Sequence, residues 1–164
     1  MITYNNILKK FEIIAVGLNG QGGHSFIQRF GSGQITDIDA IVSNSALFPM
    51  LWIIPQSTTV EENTLSYTFR VMVFDIDSQD DSKQQEILSD TLRTLTDVIK
   101  VLRFGDAYLE QYDLANDIDE YNLELPVECF PFSQRFVDYV SGWYADIKII
   151  TEFDNSICDV PWKN

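Results

Sequence analysis

The acidic residues that begin at position 75 have the spacing of a calcium-binding loop. Asp75, Asp77 and Gln79 would occupy its first, third and fifth positions, and Glu86 its twelfth. Oxygen ligands at this spacing suit a hard divalent cation. However, Asp80 stands at the sixth position, where the sharp turn of such a loop needs glycine. The spacing leaves calcium binding open and favours a solvated connection between two elements of the fold.

Other groups that could do chemistry lack the partners that chemistry needs. Carboxylate pairs such as Asp37 with Asp39 could support acid–base catalysis, but they are common in a chain with 25 acidic residues. The glycine-rich runs at 20–23 and 31–33 are not followed by the Gly-Lys-Ser/Thr of a phosphate-binding loop. The single histidine, His24, has no nucleophile beside it in sequence. We therefore expect no catalytic residue and no cofactor.

The two cysteines, Cys129 and Cys158, are far apart in sequence, and neither belongs to a C-x-x-C pair. This spacing predicts two reduced or buried thiols and no disulfide framework. No run of apolar residues approaches the length of about 20 that a membrane span needs. The N-terminal residues have the pattern of a helix of the mature protein, so we expect a soluble protein.

Composition indicates a folded but strongly acidic protein. Of the 164 residues, 45% are hydrophobic and 13% aromatic, which is enough to build a core. The formal net charge is −14 at pH 7, with 11 basic side chains against 25 acidic ones. Such a surface argues against binding nucleic acid through its phosphates.

Hydrophobic periodicity predicts the elements that must position these groups. Apolar residues at helical spacing predict one helix over 4–18, capped by Thr3, and a second over 84–103. The apolar run 50–54 and the alternating run 63–75 predict two strands that pair as an antiparallel hairpin.

The rest of the chain gives weaker signals. Residues 37–44 could form a short helix or strand, and 121–127 could form a strand. Residues 135–153 predict a long strand that is broken or bulged near Gly142. Together the pattern predicts a single α+β domain over 1–164, in which two main helices pack on one face of an antiparallel or mixed sheet. The C-terminal tail at 154–164 reads as irregular.

Aromatic residues in glycine-rich or irregular segments are the least expected feature. Phe26, Ile27 and Phe30 lie in a glycine-rich arm at 19–34, and Trp162 lies in the C-terminal tail. Such side chains either fold back on the protein's own core or fill a groove of a neighbouring subunit. We predict that these four residues form an oligomer interface.

Several core and turn patterns resemble small structural proteins of tailed phages that infect Bacteroidetes, including crAss-like phages. The likeness spans nearly the full length and is carried by residues 3–7 (TYNNI), 48–55 (FPMLWIIP), 73–75 (VFD), 86–90 (EILSD), 132–138 (FSQRFVD) and 142–146 (GWYAD). These proteins are similar to the class of tail terminators and head–tail connectors.

The resemblance implies a non-enzymatic virion protein made in the cytoplasm of a bacterial host. Proteins of this class are α+β subunits that form rings at the neck or upper tail, so the implied partners are copies of the chain itself, in rings of six or twelve, and the portal, adaptor or tail-tube proteins. DNA would pass through the ring without being bound specifically, and an acidic lumen would repel it from the wall.

Three other functions remain open from the residues alone. One is a soluble acidic binding module or inhibitor whose carboxylates mimic the phosphates of DNA. Another is an adaptor stabilised by calcium at Asp75 and Glu86. The third is an enzyme whose site lies in a buried carboxylate cluster that sequence spacing does not reveal.

Overall fold

The structure is a computed structural model that describes residues 2–39, 47–77, 82–104, 121–135 and 139–153. Within these ranges three helices and six strands follow one another along the chain. Their bounds are α1 Tyr4–Val16, β1 Arg29–Ser32, α2 Ile35–Asp39, β2 Met50–Val60, β3 Thr64–Ile76, α3 Gln84–Phe104, β4 Tyr121–Leu123, β5 Cys129–Arg135 and β6 Tyr139–Glu152. The predicted α+β fold with two long helices is confirmed.

The six strands form one mixed sheet in which β6 has two partners on the same side. The order is β1-β2-β3-β6-β4, and β5 also pairs with β6. β1 runs parallel to β2, and every other pair is antiparallel. β6 is long enough to pair with β5 through residues 139–145 and with β4 through residues 149–151.

The main core lies between one face of the sheet and the two long helices. β3 alternates as predicted, with Leu65, Phe69 and Val73 directed to this core. α1 contributes Phe11 and α3 contributes Leu95, both fully buried. Because a strand places successive side chains on opposite faces, the same strand also supplies Met72 and Phe74 to a second core on the other face. The part of β3 from Val71 to Phe74 is therefore buried on both faces.

The second core is smaller and lies at the end of that face where β2 begins and pairs with β1. It contains Met50, Trp52 and Phe74 of the sheet together with Ile38 of the short helix α2. Toward the hairpin end the same face becomes polar, where Arg70 forms a two-pronged ion pair with Asp146 on β6. The face therefore changes from apolar to charged along the length of β3.

Helix ends follow the expected chemistry. The Thr3 side chain accepts a hydrogen bond from the backbone N–H of Asn6, so it caps α1 as predicted. Gly17 follows the helix with φ of 76°, a left-handed conformation that favours glycine, and its N–H donates to the carbonyl of Ile13. α3 has Glu86 in its first turn and Arg103 in its last, matching the helix dipole.

Four expectations from the sequence need correction. Residues 29–32 form a strand within the predicted arm, and β5 is a strand that the pattern did not reveal. β2 continues to Val60, beyond the predicted end at residue 54, so residues 55–60, which the sequence left as a connection, belong to the strand and the turn shortens to 61–63. β6 runs through Gly142 in unbroken register with β3, without the expected bulge. The glycine is needed there for space, because a Cβ at this position would lie 2.1 Å from the carbonyl oxygen of Val73.

Candidate interaction surfaces

The glycine-rich segment is folded onto the body of the protein, which is one of the two arrangements expected for its apolar side chains. The N–H of His24 donates to the carbonyls of Ile14 and Ala15 at the end of α1. Ile27 is only 5% exposed and belongs to the main core, and Phe30 packs partly against that core from β1.

This placement limits what the predicted interface residues can contribute. Phe26 is partly buried, and its backbone N–H donates to Nδ1 of His24. Because Ile27 and Phe30 contribute to the chain's own core, changing them also removes intrachain packing. Trp162 lies outside the described residues, and the role of Phe26, Ile27, Phe30 and Trp162 in an interface stays a prediction.

His24 joins the glycine-rich segment to α3. With Nδ1 accepting from Phe26, the neutral ring carries its proton on Nε2, which lies 3.4 Å from Oδ2 of Asp97. Lys100 lies one turn later, with its Nζ 2.9 Å from the other oxygen of Asp97. The hydrogen bond from Lys100, with a smaller one from His24, lowers the pKa of Asp97. Both ring nitrogens of His24 have hydrogen-bond partners, so its side chain holds the glycine-rich segment against α3.

The described residues of the candidate calcium loop, Asp75, Asp77 and Glu86, do not form a group that could hold a metal ion. The Oδ1 atom of Asp75 accepts the N–H of Ile76 at 2.8 Å, whereas Glu86 is exposed on the first turn of α3. Gln79 lies outside the described residues. Among the residues that the structure describes, no three His, Cys, Asp or Glu side chains converge to hold a metal. The observed geometry therefore adds no support to a calcium site at Asp75, Asp77 and Glu86.

A chain of hydrogen bonds, buried at Asp77 and exposed at Gln84, links the start of α3 to the end of the sheet. Asp77 is 4% exposed, and its Oδ2 accepts from the hydroxyl of Ser141 at 2.7 Å. The Ser141 and Ser133 hydroxyls lie 2.8 Å apart, and Gln84 donates to Ser133. Sequence spacing did not single out Ser141, because its partner is 64 residues away.

Asp75 lies beside this chain, where its charge is disfavoured. Burial is the main cause that raises the pKa of Asp75, and the nearby carboxylate of Asp90 raises it further. The hydrogen bond from Ile76 acts in the opposite direction. The carboxylates of Asp75 and Asp77 thus lie where the end of β3 approaches the start of α3.

Exposed apolar side chains occur at both lateral edges of the sheet. On the β2 side, Val60 is 62% exposed and Tyr4, at the start of α1, is 37% exposed. On the opposite side, Phe130 of β5 is 42% exposed and Leu125, between β4 and β5, is 45% exposed. Phe130 stacks on Tyr144 of β6, which holds its ring at the surface. The exposed apolar residues of the two sides therefore differ: valine and tyrosine on the β2 side, leucine and phenylalanine on the β5 side.

The second half of β2, residues 56–60, forms an open strand edge. β1 pairs only with residues 50–53 of β2, so among the described residues no strand pairs with this part on its outer side. All five side chains of this outer edge are exposed, and none is charged. The sequence pattern assigned them to a polar loop, although the run Thr58, Thr59 and Val60 is β-branched and favours a strand.

A cavity of about 170 Å³ lies next to this outer edge. Tyr4 of α1 and Phe69 of β3 form its apolar part, and Gln56 and Thr58 of β2 line its polar side. Its size suits a single side chain more than a cofactor, which would need a cleft of at least about 300 Å³.

No helix within the described ranges has the length and apolar character needed to cross a membrane. No protein-family model matches the sequence, and no curated protein matches it.

Proposed function

We propose that this chain is a non-enzymatic structural subunit that assembles with copies of itself into a ring at the neck or upper tail of a tailed phage. The observation that carries the proposal is that large apolar side chains are exposed on both sides of the sheet. A ring requires head-to-tail contacts, in which one surface of each subunit meets a different surface of the next. Val60 and Tyr4 on the β2 side, and Phe130 and Leu125 on the β5 side, are the exposed apolar residues that such contacts would cover.

The charge of the chain supports the same proposal. Each subunit carries −14, and a ring repeats this charge around its central channel. Negative charge on the channel wall repels the phosphates of a passing duplex and keeps DNA from binding to it. The acidic composition thus suits a protein through which DNA passes.

The test is the mass of the purified protein in solution, measured by light scattering over a concentration series. The chain has a mass of 18.8 kDa, so six copies would give about 113 kDa and twelve about 226 kDa. Electron microscopy of the same sample should show closed rings with a central channel. A protein that remains monomeric at every concentration would contradict the proposal and favour the acidic binding module.

A further inference from the structure

The outer edge of β2, residues 56–60, has the properties of a strand that accepts another strand. Among the described residues, β1 ends its pairing at Ile53 and no strand pairs with residues 56–60 on their outer side, so the backbone N–H and C=O groups there have no strand partner. Such a row of groups is a template for strand addition. The side chains on both faces are exposed, which leaves this edge accessible to an incoming strand.

Protein sheets usually protect such edges with charges, prolines or bulges. β2 has Pro55 and an irregular register between Pro55 and Ser57, but residues 57–60 pair regularly with β3 and contain neither a proline nor a charge. Four consecutive residues of open edge are therefore unprotected.

Residues 56–60 carry no charge, and this affects which molecules can approach the edge. Two copies of a chain with a charge of −14 repel each other over most of their surfaces. The approach costs least where no carboxylate is present, and the nearest one in the chain, Glu61, lies just beyond the strand. A neutral strip on an acidic protein suits contact with a second copy.

From these observations we infer that residues 57–60 of β2 pair with a strand of the neighbouring copy, so that the sheet continues from one subunit to the next. This inference rests on the proposed ring and names one of its two contact surfaces. Backbone hydrogen bonds supply the attraction, and the cavity beside Tyr4 and Thr58 receives one side chain of the incoming strand.

The first experiment compares two variants that each add one negative charge at an exposed glutamine or threonine. Thr59→Glu places the charge in the open edge, and Gln85→Glu places it on the exposed side of α3. We expect Thr59→Glu to weaken self-association at least about tenfold, because the added carboxylate would lose its water in the contact and face a neighbouring copy that itself carries a charge of −14. Gln85→Glu should associate like the unmodified protein, and the melting temperatures of both variants should show that they are folded.

The second experiment uses the unmodified chain and reads the contact directly. Amide hydrogen exchange at residues 57–60 should slow at least about tenfold when the protein concentration is raised from the monomeric to the assembled range. If rings form and exchange at 57–60 stays fast, or if Thr59→Glu assembles like Gln85→Glu, the strand contact is wrong while the ring proposal stands. If no concentration gives an oligomer, both are wrong.

Discussion

Replacing Gly142 by alanine tests the closest approach between two strands in the sheet. Gly142 lies opposite Phe74 of β3 and opposite Phe132 of β5, so it is enclosed by strands on both sides. An added Cβ would lie 2.1 Å from the carbonyl oxygen of Val73 and 2.7 Å from Cα of Phe74. Both are backbone atoms, which cannot rotate away as the end of a flexible side chain could.

The size of the effect follows from these distances. Carbon atoms in contact normally lie about 3.5–4.0 Å apart, so β3 and β6 would have to separate locally by about 1 Å. Overpacking of a core costs about 1–3 kcal/mol, and strained ladder hydrogen bonds add about 1 kcal/mol each. We expect Gly142→Ala to lower the free energy of unfolding by about 3 kcal/mol or more, equivalent to a fall in Tm of about 6–12 °C.

Urea and thermal unfolding followed by circular dichroism measure this change, with Gly20→Ala as the control. Gly20 has φ of 78° and no atom within 4 Å of an added Cβ, so its substitution strains the backbone without a clash. That strain costs about 1–2 kcal/mol. If Gly142→Ala unfolds within about 0.5 kcal/mol of the unmodified protein, or is more stable than Gly20→Ala, the close approach of β3 and β6 is wrong.

Two further predictions concern buried and paired carboxylates. The pKa of Asp97 is lowered, so its contribution to stability is present above its unfolded pKa of about 3.9 and is lost as the pH falls through its folded pKa. The pKa of Asp75 is raised, so its contribution is present below the unfolded pKa and is lost as the pH rises through its folded pKa. Denaturation should be measured at a series of pH values from about 3 to about 7. As the pH rises, Asp75→Asn should gain stability relative to the unmodified protein, whereas Asp97→Asn should lose stability relative to it. Equal pH profiles for the two variants would contradict both assignments. Ser141→Ala should lower the free energy of unfolding by about 1–3 kcal/mol, since Oδ2 of the buried Asp77 would lose its donor, and Ser141→Thr tests whether restoring a hydroxyl recovers any of that loss.

Local periodicity was sufficient to predict the elements whose own residues carry the signal. The apolar stripes of α1 and α3 and the alternation in β3 each recur within a few residues, so they are readable without knowledge of any partner. The Thr3 cap is equally local. The apolar fraction indicated that the chain folds around a core, and the charge of −14 argued against a nucleic-acid-binding surface.

Apart from the β2–β3 hairpin, which the sequence predicted, only the tertiary structure decided which strands pair and which surfaces remain open. β1 is four residues long and becomes a strand because β2 supplies its partner, so its sequence read as part of a glycine-rich arm. Gly142 suggested a bulge, whereas the fold uses it for the close approach to Val73, a residue far away in sequence. The open edge of β2 likewise exists only because β1 stops pairing at Ile53. Strand pairing depends on residues that are distant along the chain, and this is why local sequence predicted α1, α3 and β3 while β1, β5 and the candidate contact surface depended on the fold.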